Sequence, residues 1–464
     1  MSILNSTGPL RKICLLLIAI SIFSSCRLGP NYSRKENMAL ESYYHETDEG
    51  ESVANMAWWE LFGDPVLQEL IISGLDSNRD LRSAAARVTE AEAQLGIVRA
   101  DLYPRINYNA DGAITGATGD NSTSSASTVV GVSYQVDLWG RYRNLSEAAF
   151  QEYLATEEGY RNITIAIVSS IANGYLLLRD LDNRLIISER TANTWQDNLD
   201  ITEARFHAGM VSEVDVKQSI IQVEEAKSSI QTYIRLRAQT QNGLSILLGR
   251  APQNIQRGLP LQEQLFPPIL PTGLPSALLD RRPDLLAAER RLEAQTARIG
   301  AAEALKYPQL NLSASLGASF VNPAVGFAAL GAQIFGPVFN SQENKRRLEV
   351  EIARTEQVLN AYESTFLNAL REVEDALIAV DTYGKEFDSR TRQVEASSIA
   401  LEMAWVRYES GLTSYLEILD LQRSAFSSQL KASEVLQLRL TSSVNLYKAL
   451  GGGWQVPLDS ININ

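Results

Sequence analysis

Cysteine is nearly missing from this chain of 464 residues, which has only Cys14 and Cys26. Both stand at the beginning, so the body can hold neither a disulfide nor a thiolate metal site. Histidine is as scarce. His45 and His207 lie far apart, and neither has a second imidazole nearby, so each reads as a solvated or loop residue. An excess of basic charge is also lacking. The formal net charge is −13, which argues against a nucleic-acid binder working through basic patches. No nucleophile–base pairing, metal-ligand cluster or phosphate loop stands out, so the sequence argues against an enzyme and calls for no cofactor. Hydrophobic residues make up 45% and charged residues 21%, a composition that favours ordered structure over disorder.

Long apolar runs are missing except at the start. Arg11-Lys12 followed by Ile13–Phe23 (ICLLLIAISIF) reads as the charged and apolar parts of a targeting signal. The run is too short to span a membrane comfortably. It ends at Ser24-Ser25-Cys26. A plain signal peptide cut near a small residue is one reading. The other, favoured because Cys26 would be the only cysteine left after cleavage, is a lipoprotein signal with Cys26 acylated. Phe23 stands where such signals prefer leucine. No later segment reads as a transmembrane helix, so entry into a bilayer requires a closed barrel.

Proline is absent over long distances. Of the 15 prolines, none falls between Pro104 and Pro252 or between Pro337 and Pro457. Proline costs about 3 kcal/mol inside a helix, so such gaps are where long helices can form. Ile163, Ile167, Ile171, Tyr175, Leu178, Leu181 and Leu185 repeat one helix face, as do Tyr362, Phe366, Ala369, Val373, Leu377 and Val380. From Arg141 to His207 a helix would be about 100 Å long at 1.5 Å per residue. Gly209 and Gly411 mark where the long runs turn back.

The same order of parts occurs twice. DLYPRINYNA at 101–110 resembles ALKYPQLNLS at 304–313, and ARFHAGMVSEVDVKQS at 204–219 resembles VRYESGLTSYLEILDLQRS at 406–424. The offsets are 204 from Tyr103 to Tyr307 and 202 from Gly209 to Gly411. Each unit reads as helix, Tyr-Pro, two strands, a very long helix, a glycine turn and a returning helix. Strands are expected at 105–117, 127–138, 309–320 and 326–339, the last being the least regular. The clearest is Gln309–Phe320, QLNLSASLGASF. Its even positions are apolar or small and its odd positions polar or glycine, the pattern of a strand with one greasy and one wet face.

Strands of this length match the roughly 9–11 residues that cross a bilayer on a tilt. Half of a soluble sandwich would show the same pattern, but no further sheet is present to cover it. Four strands cannot close alone. Two chains would give eight, and a barrel that small is filled by its own side chains. Three would give twelve and leave a lumen, with polar positions facing water and apolar positions facing lipid.

At this point the motifs resemble the TolC-like outer membrane efflux proteins, in the lipoprotein branch that serves resistance-nodulation-division pumps. The match is carried by Cys26 with Gly29-Pro30-Asn31-Tyr32, by WWELFGDPVLQELI (58–71), NRDLRSAAARVTEAEA (78–93) and VDLWGR (136–141), and above all by Leu274–Gly317. The resemblance implies a mainly α fold with a small membrane β part. A homotrimer would form a twelve-stranded barrel continued by an α-helical barrel. It also implies a passive exit channel for small molecules, working with a periplasmic adaptor and an inner-membrane pump. The place would be the bacterial outer membrane, with contact to its lipid and none to nucleic acid. Peptide or protein secretion through the same architecture, and a non-conducting periplasmic rod, are the competing functions.

The resulting division is a signal at 1–25, a lipidated segment at 26–64 and a first repeat at 65–250. A Pro-rich equatorial linker at 251–283, a second repeat at 284–450 and a tail at 451–464 follow. The family's constriction pattern is present as Tyr408, Gly411, Leu416, Asp420, Gln422 and Arg423. By resemblance, Leu416 and Asp420 would form a greasy and an acidic ring around the threefold axis. Ordinary packing for Leu416 and a solvated charge for Asp420 is the plainer alternative. In the first repeat Val214 matches Leu416, Gln218 stands at the Asp420 position, and Asp215 offers a carboxylate one turn away. Arg281-Arg282-Pro283-Asp284 reads as a helix start rather than a catalytic cluster.

Overall fold

A computed structural model describes residues 27–34, 44, 63–117, 121–264, 278–320 and 323–452. The signal at 1–25, Cys26, residues 265–277 of the linker and the tail beyond 452 lie outside the described residues. In chain order the elements are α1 (Pro65–Ser77), α2 (Arg79–Ala100), β1 (Arg105–Ala117), β2 (Asn121–Val136), α3 (Arg141–His207) and α4 (Glu213–Leu247). After a 3-10 turn at Leu261–Glu263 come α5 (Leu278–Arg281), α6 (Pro283–Ala304), β3 (Gln309–Ser319), β4 (Val325–Phe335), α7 (Glu343–Glu409) and α8 (Tyr415–Ala449). The chain is mainly helical with one small sheet, as the sequence predicts.

The duplication is visible in the lengths. α2 and α6 have 22 residues each, α3 and α7 have 67, and α4 and α8 have 35. The offset is 204 between α2 and α6 (283 − 79) and 202 between α3 and α7 (343 − 141). The repeats therefore lose register only across their strands.

Two compact units cut across the repeats. One comprises Met1–Glu36, Ala86–Glu158 and Leu286–Thr365, and the other Asn37–Ala85, Gly159–Leu285 and Phe366–Asn464. Each takes equivalent pieces from both repeats.

The first unit contains the sheet, ordered β1-β2-β3-β4 and antiparallel throughout. Three strands depart from the expected limits. β2 begins at Asn121 rather than 127, because Asn121–Ala126 pair in register with Gly112–Ala117. That serine-rich stretch has no apolar alternation and is held by its backbone. β2 stops at Val136, where Asp137 turns back to accept the backbone N–H of Arg143 at 3.0 Å. β3 ends one residue early, at Ser319. β4 runs from Val325 to Phe335 rather than to 339, since Pro337 offers no N–H to a ladder.

The second unit holds the main apolar core. Leu67 and Ile71 of α1, Ile171, Tyr175 and Leu178 of α3, Leu244 of α4 and Leu440 and Tyr447 of α8 are buried together. An 18-residue stretch of α3 reaches a mean hydropathy of 1.2, enough to qualify by composition as a span that the sequence reading did not identify. More than half of it (56%) is buried inside the chain, so its apolar face serves this core. Next to the core, Asp64 caps α1 and is wholly buried. It accepts from Val66 N at 2.9 Å, Tyr175 hydroxyl at 2.8 Å, Leu259 N at 2.9 Å and Gln264 Nε2 at 2.9 Å. Burial pushes its carboxyl up, but those four donors outweigh burial and hold it below the usual aspartate range. Arg282 is buried too. It joins Asp284 (2.6 Å), Glu372 (2.8 Å) and the Ala449 carbonyl (2.9 Å). The Arg281–Asp284 motif is thus a structural clasp at the start of α6.

Candidate functional site

The sheet sorts residues by chemistry because its register never slips by an odd number. Ile106 faces Val132, which faces Ala314, which faces Leu330. Tyr108, Val130, Leu316 and Ala328 form the next such row. Every even position therefore falls on one apolar face. The odd positions form the other, with Asn107, Asn109, Asp111, Ser133, Gln135, Asn311, Ser313, Ser315 and Gln333. A one-residue slip at any pairing would mix the two faces.

The apolar face has no cover. Tyr108 is 84% exposed, Ile114 81% and Leu330 91%. Among the described residues there is no fifth strand, and β1 and β4 each leave one edge unpaired. In water such a face would be a large exposed apolar patch and its edges templates for aggregation. In hydrocarbon the face is suited to its solvent, and the edges then require closure.

At the opposite ends of α3 and α7 the helices turn. Gly209 and Gly411 have φ of +73° and +71°, a conformation that glycine adopts without Cβ strain. Both turns close with the same pair of bonds: Gly209 N to Phe206 O and Met210 N to Arg205 O, Gly411 N to Tyr408 O and Leu412 N to Arg407 O. These are the bonds that satisfy the last carbonyls of a helix.

Around the second turn the two hairpins are joined by a polar and aromatic cluster. Arg205 Nη1 donates to the Tyr408 hydroxyl at 3.2 Å and its guanidinium lies 5.6 Å from that ring. Tyr408 packs against Tyr415 at 5.5 Å and Trp405 at 6.0 Å. The Tyr415 hydroxyl is 3.2 Å from Thr202 Oγ1 and 3.1 Å from Ser219 Oγ. Gln222 Nε2 donates to the Leu419 carbonyl at 2.7 Å. Sequence reading found Tyr408 and Gln422 as pattern residues but missed Arg205, Thr202, Ser219 and Gln222, since a contact between hairpins leaves no periodic trace.

Leu416 and Asp420 share the exposed face of α8, while Tyr415, Ile418, Leu419 and Gln422 are buried on the other. Leu416 is 49% exposed. The Asp420 carboxylate accepts from Arg423 at 2.5 Å, an exposed pair worth at most about 1 kcal/mol. In the first repeat Val214 is exposed like Leu416. Asp215 does not extend such a face: its carboxylate accepts from the Ser212 N–H at 3.0 Å and hydroxyl at 2.9 Å, as the acidic half of a capping box.

The Cys26 thiol lies outside the described residues, but the segment after it is held. Leu28 N donates to Trp139 O at 3.2 Å, and Arg27 Nε donates to Asn144 Oδ1 at 2.5 Å. Asn144 Nδ2 donates to Leu28 O at 2.8 Å. Further on, Glu289 receives Tyr32 (2.9 Å) and both forks of Arg34 (2.7 and 2.5 Å). Burial pushes the Tyr32 phenol well above its ordinary value, and the Glu289 carboxylate adds to this. Residue 27 is thus pinned at the junction where β2 passes into α3. Among the described residues no cluster of three or more metal-ligating side chains occurs.

Comparison with known proteins agrees with this geometry. The family model described as outer membrane efflux protein matches residues 70–250 and again 274–452, once per repeat. The toluene efflux pump outer membrane protein TtgC of Pseudomonas putida is 35% identical, with 96% of each chain covered. The cation efflux system protein CusC of Escherichia coli is 32% identical over 96% of this chain and 99% of its own. The crystal structure of the open state of the Neisseria gonorrhoeae MtrE outer membrane channel superposes with a TM-score of 0.86. It is 31% identical, covering 92% of this chain and 99% of that one. With the uncovered two-faced sheet and the paired long hairpins already established, the chain belongs to the outer membrane efflux protein family and is an outer membrane efflux channel.

Proposed function

We propose that three copies pool their four strands into one twelve-stranded barrel, with the even face toward lipid and the odd face around a water-filled lumen. The observation that carries this reading is the register. It keeps the even, mostly apolar positions on a single face across four strands of membrane-spanning length, while leaving both outer edges open for a neighbour. Eight strands would leave too little room for a lumen, and twelve leave enough.

The channel is the passive outer part of a tripartite system. An inner-membrane pump of the resistance-nodulation-division type supplies the energy, and a periplasmic adaptor joins it to the channel. The names of the relatives, toluene for TtgC and cations for CusC, support a cargo of small molecules and ions rather than polypeptide. The protein performs no chemistry. The assigned parts are a signal at 1–25, a lipidated segment at 26–64, repeats at 65–250 and 284–450, a linker at 251–283 and a tail at 451–464. Cys26 carries the lipid. This is supported by the way residues 27 and 28 are pinned beside Trp139 at the end of β2. Leu416 and Asp420 form the constriction, supported by their exposure on one face of α8 beside the turn at Gly411.

The test is accumulation and conductance together. Deleting the gene should raise dye accumulation in cells, and the purified protein should conduct across a planar bilayer. Unchanged accumulation alongside a non-conducting protein would contradict the proposal.

A further inference from the structure

The odd face of the sheet is mainly hydrophilic along β1 to β3 and turns apolar on β4, at Val325, Phe327 and Phe335. Asn109 faces Val129, Val129 faces Gly317, and Gly317 faces Phe327. Phe327 is 40% exposed and lies across β3. A Cβ placed on Gly317 would come within 2.6 Å of Thr128 O, 2.8 Å of Phe327 Cζ and 3.1 Å of Cε1, so a side chain there would force its neighbours to shift. The tip of the ring therefore reaches over a residue that has no side chain. The next row is Asp111, Ser127, Ser319 and Val325. Arg105 and Asp111 are the charged residues among the described side chains of this face. Arg105 is engaged by Asp101. Asp111 accepts from Asn109 Nδ2 at 2.6 Å.

We propose that Phe327 forms, in the lumen, a low-affinity contact site for planar aromatic solutes, with aromatic cations preferred. The site rests on the reading of the odd face as the channel lumen. Polar groups give a flat apolar solute nothing to adhere to, whereas an exposed ring offers an offset-stacking surface. It also attracts a cation to its face. Asp111 lies one row along and three strands across, on β1, and adds to the same face a carboxylate of the sign that favours positive charge. Three copies would repeat this pair around the channel.

The test uses the full-length channel in planar bilayers with ethidium, a planar aromatic cation, and tetraethylammonium, a cation with no ring. The open conductance of each variant shows that it has folded and inserted. Wild type should be blocked by ethidium and not by tetraethylammonium. Phe327→Leu, which keeps the bulk and removes the π face, should raise the half-blocking ethidium concentration about three- to tenfold, and Phe327→Tyr should stay near wild type. Equal ethidium block in wild type and Phe327→Leu overturns the site while leaving the channel standing. A wild type that carries no current overturns the lumen itself, and the site with it.

Discussion

Arg205 of α3 reaches Tyr408 of α7, its Nη1 donating to the hydroxyl at 3.2 Å. The bond ties the end of one long helix to the end of its counterpart in the other repeat. With the cation–π contact it is worth about 1–2 kcal/mol. If this tie holds the constriction closed, Tyr408→Phe should open it slightly, by losing the bond but keeping the ring. Arg205→Ala should open it further, by losing both. Single-channel conductance should rank Arg205→Ala above Tyr408→Phe and both above wild type. Three equal conductances would show that the tie does not control the opening.

Leu416 and Asp420 can be separated by what each would do. Leu416→Ala removes bulk, so it should raise conductance with little change in ion preference. Asp420→Ala removes a carboxylate and leaves Arg423 without its partner at 2.5 Å, so the preference for cations should fall. Reversal potentials in a salt gradient report the second effect. No change in either variant would place the constriction elsewhere.

The proposed acylation of Cys26 is testable by mass. The intact mature protein should be heavier than residues 26–464 by a diacylglycerol and an acyl chain. Cys26→Ser should lack that increment yet still insert and conduct, because the contacts of residues 27–34 with Asn144 and Glu289 do not involve the thiol. A wild-type mass equal to the bare chain contradicts the assignment.

Asp64 predicts a pH dependence. Its folded pKa lies below the unfolded value, near 3.9 for aspartate. The stabilisation is therefore complete above that value and is lost as pH falls through the lower, folded pKa. Asp64→Asn removes the charge that four donors address and should cost about 2–4 kcal/mol. Thermal unfolding in detergent should show a lower midpoint at neutral pH and a smaller further loss on acidification than wild type. Identical midpoints would mean the carboxylate is not carrying that junction.

Much of this architecture was legible because it is periodic. Proline gaps marked α3 and α7, and the 202 and 204 offsets marked the repeat. Alternation located β1 and β3 to within a residue of their ends. Alternation failed at Asn121–Ala126, where serine and threonine on both faces carry no signal and only the pairing with β1 makes a strand. Asp215 looked available as a gate carboxylate, yet it is the N3 partner of Ser212 in the capping box of α4; a capping box and a free acid one turn away look alike in one dimension. Asp64 sits just before α1, and its partners Tyr175, Leu259 and Gln264 follow at distances no local rule spans. Phe327 fell in the least regular strand, and its role depends on Gly317 across the pairing.

The mass of the detergent-solubilised mature protein tests the central claim most directly. Pooling of four-stranded sheets into one wall predicts a particle of three chains that falls out of solution when detergent is removed. A single chain that stays monomeric and soluble without detergent would contradict it.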